Sequence, residues 1–335
     1  MKVLVTGGTG FLGSHIVLAL LDAGHEVRLF VRRPEQLAAT FAPHGVTIAD
    51  VATGDVLDEL AVARALEGCS AVVHAAAVFS FDPRRGKEML TTNEQAARNV
   101  LGQAVSRGCD PVVHISSTVA LTRRAGSNPE LELGDVELPY SISKMRSEQV
   151  ARDLQDSGAP VVCVYPGGVY GPHDPYQGEQ TRRIGWQVRG LFPLWASGGI
   201  HIVDVRDVAR VVAAAMQPGR GPQRYVVPGV HMTGRMLYDA INKAISRRRP
   251  MVLMPAPLAV VTTRTIDAIQ ARLPEGWRYP ADREGAELGL RNTVFDASST
   301  TADLGVVPIP FEQSIRDTIA WMVEDGRLPE KYRPR

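Results

Sequence analysis

Short apolar runs alternate with longer amphipathic ones through the first half of this chain. Valine-rich runs stand at residues 3–5 (VLV), 27–31 (VRLFV), 46–48 (VTI), 71–75 (AVVHA), 111–116 (PVVHIS) and 161–165 (VVCVY). Consecutive apolar positions of this kind fit strands covered on both faces. Between them lie helix-length segments: FLGSHIVLALLDAG, VLDELAVARALEG, the NEQAARNVLGQAVSRG region and the SISKMRSEQVARDLQDSG region. Strands alternating with helices at this spacing predict βαβ units around a parallel sheet. Gly24, Gly68, Gly108 and Gly158 fall where helix C-caps are expected.

After about residue 166 the rhythm changes. Proline and glycine become dense in PGGVYGPHDPYQG and PLWASGG, while HIVDVRDVARVVAAAM (201–216) still reads as a strand feeding a helix, with Asp207 as an early-turn acid. The pattern predicts an α/β fold. A doubly wound parallel sheet covers 1–166, with 200–217 returning to it, and a smaller C-terminal lobe takes 167–199 and 218–335. The apolar stretch PMVLMPAPLAVV (250–261) is broken by prolines and too short to span a bilayer. It reads as a lid or a helix of the smaller lobe. The terminal EKYRPR reads as a frayed tail.

Charge narrows the partners. With 37 basic and 36 acidic residues the net charge is +1, which gives no field to gather nucleic acid or an anionic membrane. Any anion must be held by a local site. Cys69, Cys109 and Cys163 show no CxxC spacing or Cys/His clustering, and MKVLVTGG leaves no room for a signal peptide before the first strand. Both features fit reduced thiols in a cytoplasmic protein. No metal site is expected: His173 and Asp174 are two residues in a proline-rich loop, and His74 and His114 sit in buried-strand patterns as satisfied core histidines.

TGGTGFLG (6–13) follows the first strand and opens the first helix. Gly7 permits the tight turn, Gly10 lets backbone approach a pyrophosphate, and Gly13 lets helix and strand pack closely. The pyrophosphate sits on free N–H groups at the positive end of that helix. An acid closing the second strand would hold the ribose 2′-hydroxyl of NAD. Here that strand ends LFVRRP, and Arg32 and Arg33 can grip a 2′-phosphate instead. NADP(H) is therefore expected over NAD(H), which stays possible.

PYSISK (139–144) holds the only Tyr-x-x-x-Lys of the chain. On a helix, Tyr140 and Lys144 stack one turn apart on the same face. A free phenol, with a pKa near 10, shuttles protons poorly at neutral pH, and a nearby ammonium favours the phenolate. The glycine turn, the sheet pattern and this pair together resemble the extended branch of the short-chain dehydrogenase/reductase superfamily, over nearly the whole chain. The likeness implies a Rossmann fold and assigns roles by position. TGGTGFLG matches the cofactor loop, giving Thr9, Phe11 and Leu12 beside the three glycines. TGDVLD (53–58) matches the adenine contact at Asp55 and Val56, and VVHAAA (72–77) the stretch under the cofactor, Ala75, Ala76 and Ala77. YPGGVYGP (165–172) matches the loop beside the nicotinamide: Tyr165, Pro166, Gly167 and Val169. Tyr140 and Lys144 also touch the cofactor in this family. HISST supplies the third catalytic residue, Ser117, with Ser116 or Thr118 as alternatives.

Within that branch the details select a reaction. Sugar dehydratases follow the serine with an acidic pair, whereas Thr118, Val119 and Ala120 stand here. Sugar-nucleotide epimerases place an asparagine after strand six, whereas Pro166-Gly167-Gly168 stands here, as in the dihydroflavonol-reductase-like and 3β-hydroxysteroid-dehydrogenase-like groups. Arg182 and Arg183 could bind a diphosphate or form a solvated face. Phe79 and Phe81 could wall a substrate pocket or pack in the core. The expectation is an NADPH-dependent reductase of a small hydrophobic ketone or aldehyde, in which Tyr140 protonates the oxygen, Ser117 polarises it and Lys144 tunes Tyr140. A hydroxysteroid-type dehydrogenase/isomerase comes second and a sugar-nucleotide epimerase third. A cofactor sensor without catalysis ranks last, because the tyrosine is kept. The likeness also implies a homodimer, formed by the helix after strand four and the helix bearing the tyrosine.

Overall fold

The computed structural model describes residues 1–80, 83–124, 126–270, 272–273 and 283–335. Its strands are Lys2–Thr6 (β1), Glu26–Val31 (β2), Asp50–Thr53 (β3), Ala71–His74 (β4), Val112–Ile115 (β5), Val161–Tyr165 (β6), Gly168–Tyr170 (β7), Leu194–Ala196 (β8), Gly199–Asp204 (β9), Gln223–Val226 (β10), Val230–Thr233 (β11) and Val252–Met254 (β12). Its helices are Phe11–Asp22 (α1), Gln36–Phe41 (α2), Glu59–Ala65 (α3), Gly86–Ser106 (α4), Pro139–Asp156 (α5), Glu179–Arg189 (α6), Val205–Ala215 (α7), Gly234–Ile245 (α8), Ala256–Gln270 (α9), Arg283–Arg291 (α10), Ser298–Leu304 (α11) and Phe311–Glu324 (α12).

Seven strands pair in parallel in the order β3-β2-β1-β4-β5-β6-β10. This is the doubly wound Rossmann arrangement. Successive residues of β1 alternate between two cores, as the two-residue period of a strand requires. Val3 and Val5 face α1 and α7 through Ile16, Val17, Leu20, Val208 and Val212. Leu4 faces the layer of α3, α4 and α5 through Val62, Val100, Leu101 and Val150. Burial on both faces explains the continuous valine runs, and each fully buried side chain contributes roughly 1.5–3 kcal/mol. Gly24, Gly68, Gly108 and Gly158 close their helices with φ of 78°, 73°, 73° and 84°. Strand order reverses between β1 and β4, which opens a crevice at the strands' C-terminal ends.

Several elements differ from the sequence reading. The third strand forms at 50–53, not at 46–48, because Asp50 is held by Lys2 at 2.7 Å and by Arg28 at 2.8 Å. These ion pairs fix the edge register where hydrophobicity does not. Of 200–217, only α7 returns to the large sheet; β9 belongs to a small sheet ordered β11-β9-β7. Within 218–335, β10 is an edge strand of the large sheet, beside β6. The chain thus passes between the two sheets after β6, after β9 and after β10. The C-terminal tail is docked, not frayed: Tyr332 is buried beneath Arg247 and Arg249, and the Arg335 amide donates to Ala244. Residues 250–261 form β12, paired with β8, and the start of α9, leaving Leu253, Leu258 and Val261 exposed. Among the described residues no helix is long and apolar enough to cross a membrane.

Candidate active site

A cleft of about 590 Å³ opens at the crevice between β1 and β4 and runs on to α6 and α10. One end is the glycine turn. Gly7 has φ +72°, and a β-carbon there would lie 2.6 Å from the Ala76 nitrogen. A β-carbon at Gly13 would be 2.1 Å from the Gly7 carbonyl oxygen. Only hydrogen side chains let α1, β1 and the 75–77 segment meet so closely. Gly10 is the N-cap of α1 and no side chain caps that helix. Its first N–H groups and positive dipole end are therefore available to an anion. Arg32 lines this end, with Arg85 and Glu88, which pair at 2.9 Å. The cradle and its cation fit a dinucleotide.

Toward the middle of the cleft stand Ser117, Tyr140 and Lys144, all buried. Ser117 follows β5 and caps a short 3-10 turn at Thr118–Leu121: its Oγ accepts from the Val119 amide at 3.1 Å while donating to the Pro166 carbonyl at 3.4 Å. It also hydrogen-bonds the Tyr140 phenol, an interaction that favours the phenolate. Burial outweighs it, with the charge of Glu284 acting in the same direction, and the phenol is pushed far above its ordinary value. Burial pulls the Lys144 ammonium down to about 8, with Glu148 one turn on opposing part of the shift. Neighbouring Ser116 lines the cleft too, but its Oγ has no hydrogen-bond partner among the described residues. Of the two serines, Ser117 is the one bonded to the tyrosine.

Gly7, Gly10, Phe11, Leu12, Gly13, Arg32, Ala75, Ala77, Thr118, Pro166, Gly167 and Val169 line this cleft with Ser117, Tyr140 and Lys144. Others stand apart. Arg33 is exposed and does not line the cleft. Thr9, Asp55, Val56 and Ala76 are likewise outside its lining; the Ala76 amide donates to Thr6 Oγ1 at 3.2 Å, and the Val56 carbonyl accepts from Asn99. Tyr165 turns its fully buried side chain toward α5, where its hydroxyl donates to Glu148 at 2.7 Å.

The remaining candidates resolve individually. Phe79 lines the cleft with its ring edge-on to Tyr140, centroids 4.9 Å apart, whereas Phe81 lies outside the described residues. Arg183 is not on a solvated face: it is buried and lines the cleft, while Arg182 is exposed. His74 is satisfied by Thr6 at 2.8 Å, and burial holds it neutral, near 3. His114 stacks on it, but neither of its ring nitrogens is hydrogen-bonded within the described residues. No cluster of described residues could hold a metal ion. Sequence reasoning missed Glu284, whose contacts with α5 span more than 140 residues and leave no local trace.

A model of the NAD dependent epimerase/dehydratase family matches residues 3–227. Sterol demethylase protein B of Methylococcus capsulatus is 29% identical, over 98% of this chain and all of that protein. The 2-alkyl-3-oxoalkanoate reductase of Stenotrophomonas maltophilia is 31% identical, over 94% of this chain and 98% of that protein. Among solved structures, gox2253 superposes with a TM-score of 0.79 at 26% identity, covering 98% and 99% of the two chains. With the cleft and its Tyr140–Lys144 pair, these likenesses place the chain in the NAD dependent epimerase/dehydratase family, the extended short-chain dehydrogenase/reductases, as an NAD(P)-dependent oxidoreductase of alcohol and carbonyl groups.

Proposed function

We propose that this enzyme reduces the carbonyl of a bulky, largely apolar ketone or aldehyde, with NADPH as the preferred cofactor. The observation that carries the reading is the wall of the cleft beside Tyr140. Phe79, Val119, Ile200, Leu288 and Phe295 give it an apolar surface, and Arg183 brings one cation to it. The glycine loop argues against a sugar nucleotide. A β-carbon at Gly167 would lie 2.2 Å from the His201 carbonyl oxygen, so an asparagine has no room there. The names of two full-length relatives, one for a sterol and one for an oxoalkanoate, support large apolar substrates.

In this reading the turn at Gly7–Gly13 and the open end of α1 hold the pyrophosphate, and Arg32 holds the 2′-phosphate. The nicotinamide, when bound, supplies the hydride. Ser117 orients the substrate oxygen by hydrogen bonding. Tyr140, kept protonated by burial, gives its phenolic proton to that oxygen. Lys144 presents its ammonium to the cofactor ribose and to the phenolate left behind. The assembly inferred is a homodimer through the outer faces of α4 and α5, and sedimentation of a monomer would overturn it.

The test follows NADPH and NADH absorbance with pooled aromatic, steroidal and aliphatic ketones and aldehydes, 3-oxo acids included. NADPH consumption in any pool, lost in Tyr140→Phe with cofactor affinity retained, supports the reading. If every pool is silent but hydroxysteroids are oxidised, the enzyme is a hydroxysteroid dehydrogenase, the reading favoured by the sterol relative. Turnover of UDP-sugars alone would replace both.

A further inference from the structure

The catalytic helix begins badly. The first N–H groups of a helix lack partners within it, and a polar N-cap side chain usually serves those at the second and third positions. The N-cap of α5 is Leu138, whose side chain can accept nothing, and Pro139 follows with no N–H to offer. The needy amides are therefore those of Tyr140 and Ser141.

Both are served from far away in sequence. Glu284, in the first turn of α10, is buried against this end of α5. Its Oε2 accepts from the Tyr140 amide at 3.2 Å, and its Oε1 accepts from the Ser141 amide and the Ser141 hydroxyl, each at 2.7 Å. A carboxylate at a helix N-terminus gains both the charge-assisted bonds and the attraction of the dipole. The same helix α10 lines the cleft through Gly285 and Leu288, the residues next to Glu284 and one turn beyond it.

We propose that Glu284 is a positioning residue for Tyr140: as a cap supplied by the substrate-facing helix α10, it ties the placement of the tyrosine to the seating of that helix. A local aspartate at 138 would cap α5 unconditionally. A cap from α10 caps it only while α10 is docked, so a substrate packed against Leu288 steadies the backbone that carries its own proton donor. The carboxylate has an electrostatic effect as well. The charges acting at Tyr140 are Glu284 from α10 and Glu179 from α6; Lys144, one turn on in its own helix, lines the same cleft, and the Ser117 hydroxyl and the Phe79 ring complete the surroundings. The two acids disfavour the phenolate, so Glu284 helps to keep the phenol protonated.

The inference rests on Tyr140 being the proton donor proposed above, and the test separates the two. Glu284→Gln keeps one acceptor and removes the charge; Glu284→Ala removes both. Adding Leu138→Asp to Glu284→Ala restores a local cap. Amide hydrogen exchange across 138–144 is compared in the four proteins, together with kcat, KM for cofactor and carbonyl, and the pH profile. Exchange at Tyr140 and Ser141 is expected to rise about tenfold in Glu284→Gln and more in Glu284→Ala. Leu138→Asp should restore slow exchange. In Glu284→Gln, kcat should fall about tenfold with KM for cofactor unchanged, and the alkaline limb should move about one unit toward acid. Leu138→Asp should not restore the pH profile. Unchanged exchange in Glu284→Gln would overturn the cap, and faster exchange with an unaltered kcat and pH profile would reduce Glu284 to a structural role. If a variant does not fold, Glu284→Asp, which shortens the reach by one methylene, is read by the same measurements. Altered exchange in proteins that turn over no carbonyl would leave the cap standing and overturn the chemistry assigned to Tyr140.

Discussion

The Arg32 guanidinium stands 3.8 Å from the carboxylate of Asp55, across the ends of β2 and β3. The Arg32 side chain is largely in water and that of Asp55 is 43% exposed, and a solvent-screened pair of this kind is worth about 0–1 kcal/mol. Arg32 is thus lightly held and can turn to a better anion. A 2′-phosphate offers two charges and bidentate geometry, which Asp55 at this distance does not. Arg32→Glu is expected to weaken NADPH about ten- to a hundredfold while moving NADH by less than about threefold. Fluorescence titration of both cofactors checks this, and an equal loss for both would remove Arg32 from the phosphate site.

At the other end of the cradle, Gly13→Ala forces a methyl onto the Gly7 carbonyl. Relief requires α1 to move off β1. The expected result is a destabilisation of about 1–3 kcal/mol, seen in the urea midpoint, together with loss of detectable cofactor binding. Retained binding would show that the turn does not hold the pyrophosphate.

Lys144 is buried, and burial lowers it from 10.5 to about 8. Below pH 8 the folded protein bears the full cost of that buried charge, about 3 kcal/mol against the unfolded chain. Between pH 8 and 10.5 the unfolded state binds the extra proton, so the cost is relieved as pH rises. Lys144→Met should therefore be more stable than the native protein at pH 7, by a few degrees in Tm, with the difference closing by about pH 10.5. It should also be inactive. A variant no more stable at pH 7 would contradict this electrostatic account.

One turn further along α5, fully buried Glu148 binds Arg152 at 2.8 Å and accepts from the Tyr165 hydroxyl at 2.7 Å. Removing one partner of such a group strands the other. Glu148→Ala is expected to cost about 3–5 kcal/mol in equilibrium unfolding, and Glu148→Ala with Arg152→Leu distinctly less than the sum of the single changes. Additive losses would mean that the pair is not coupled.

What could be read from the chain beforehand follows from where the information lies. The valine runs mark five of the central strands because a parallel strand is apolar on both faces. The turn and the Tyr140–Lys144 pair are legible because each is a local spacing that a helix or tight turn converts directly into geometry. The third strand slipped to Asp50 because ion pairs with Lys2 and Arg28, and not hydrophobicity, fix that edge. Tyr165, expected in the loop beside the cofactor, ends strand β6 instead, and its side chain serves Glu148, a partner that no spacing rule reveals. Arg183 and Glu284 enter the site through tertiary packing alone. Both are charged residues in amphipathic helices, α6 and α10, where the ordinary expectation is solvent.

The passages between the large and the small sheet give the molecule a weave. The strand after β6, the strand before α7 and the strand after β10 all belong to the small sheet, so the polypeptide is stitched through the boundary and not merely laid beside it. No single cut in the backbone frees the part that faces the substrate, and no contiguous cassette carries it. Changing specificity by exchanging that part between relatives would require several splice points to match at once, whereas point changes at the cleft wall leave the stitching intact.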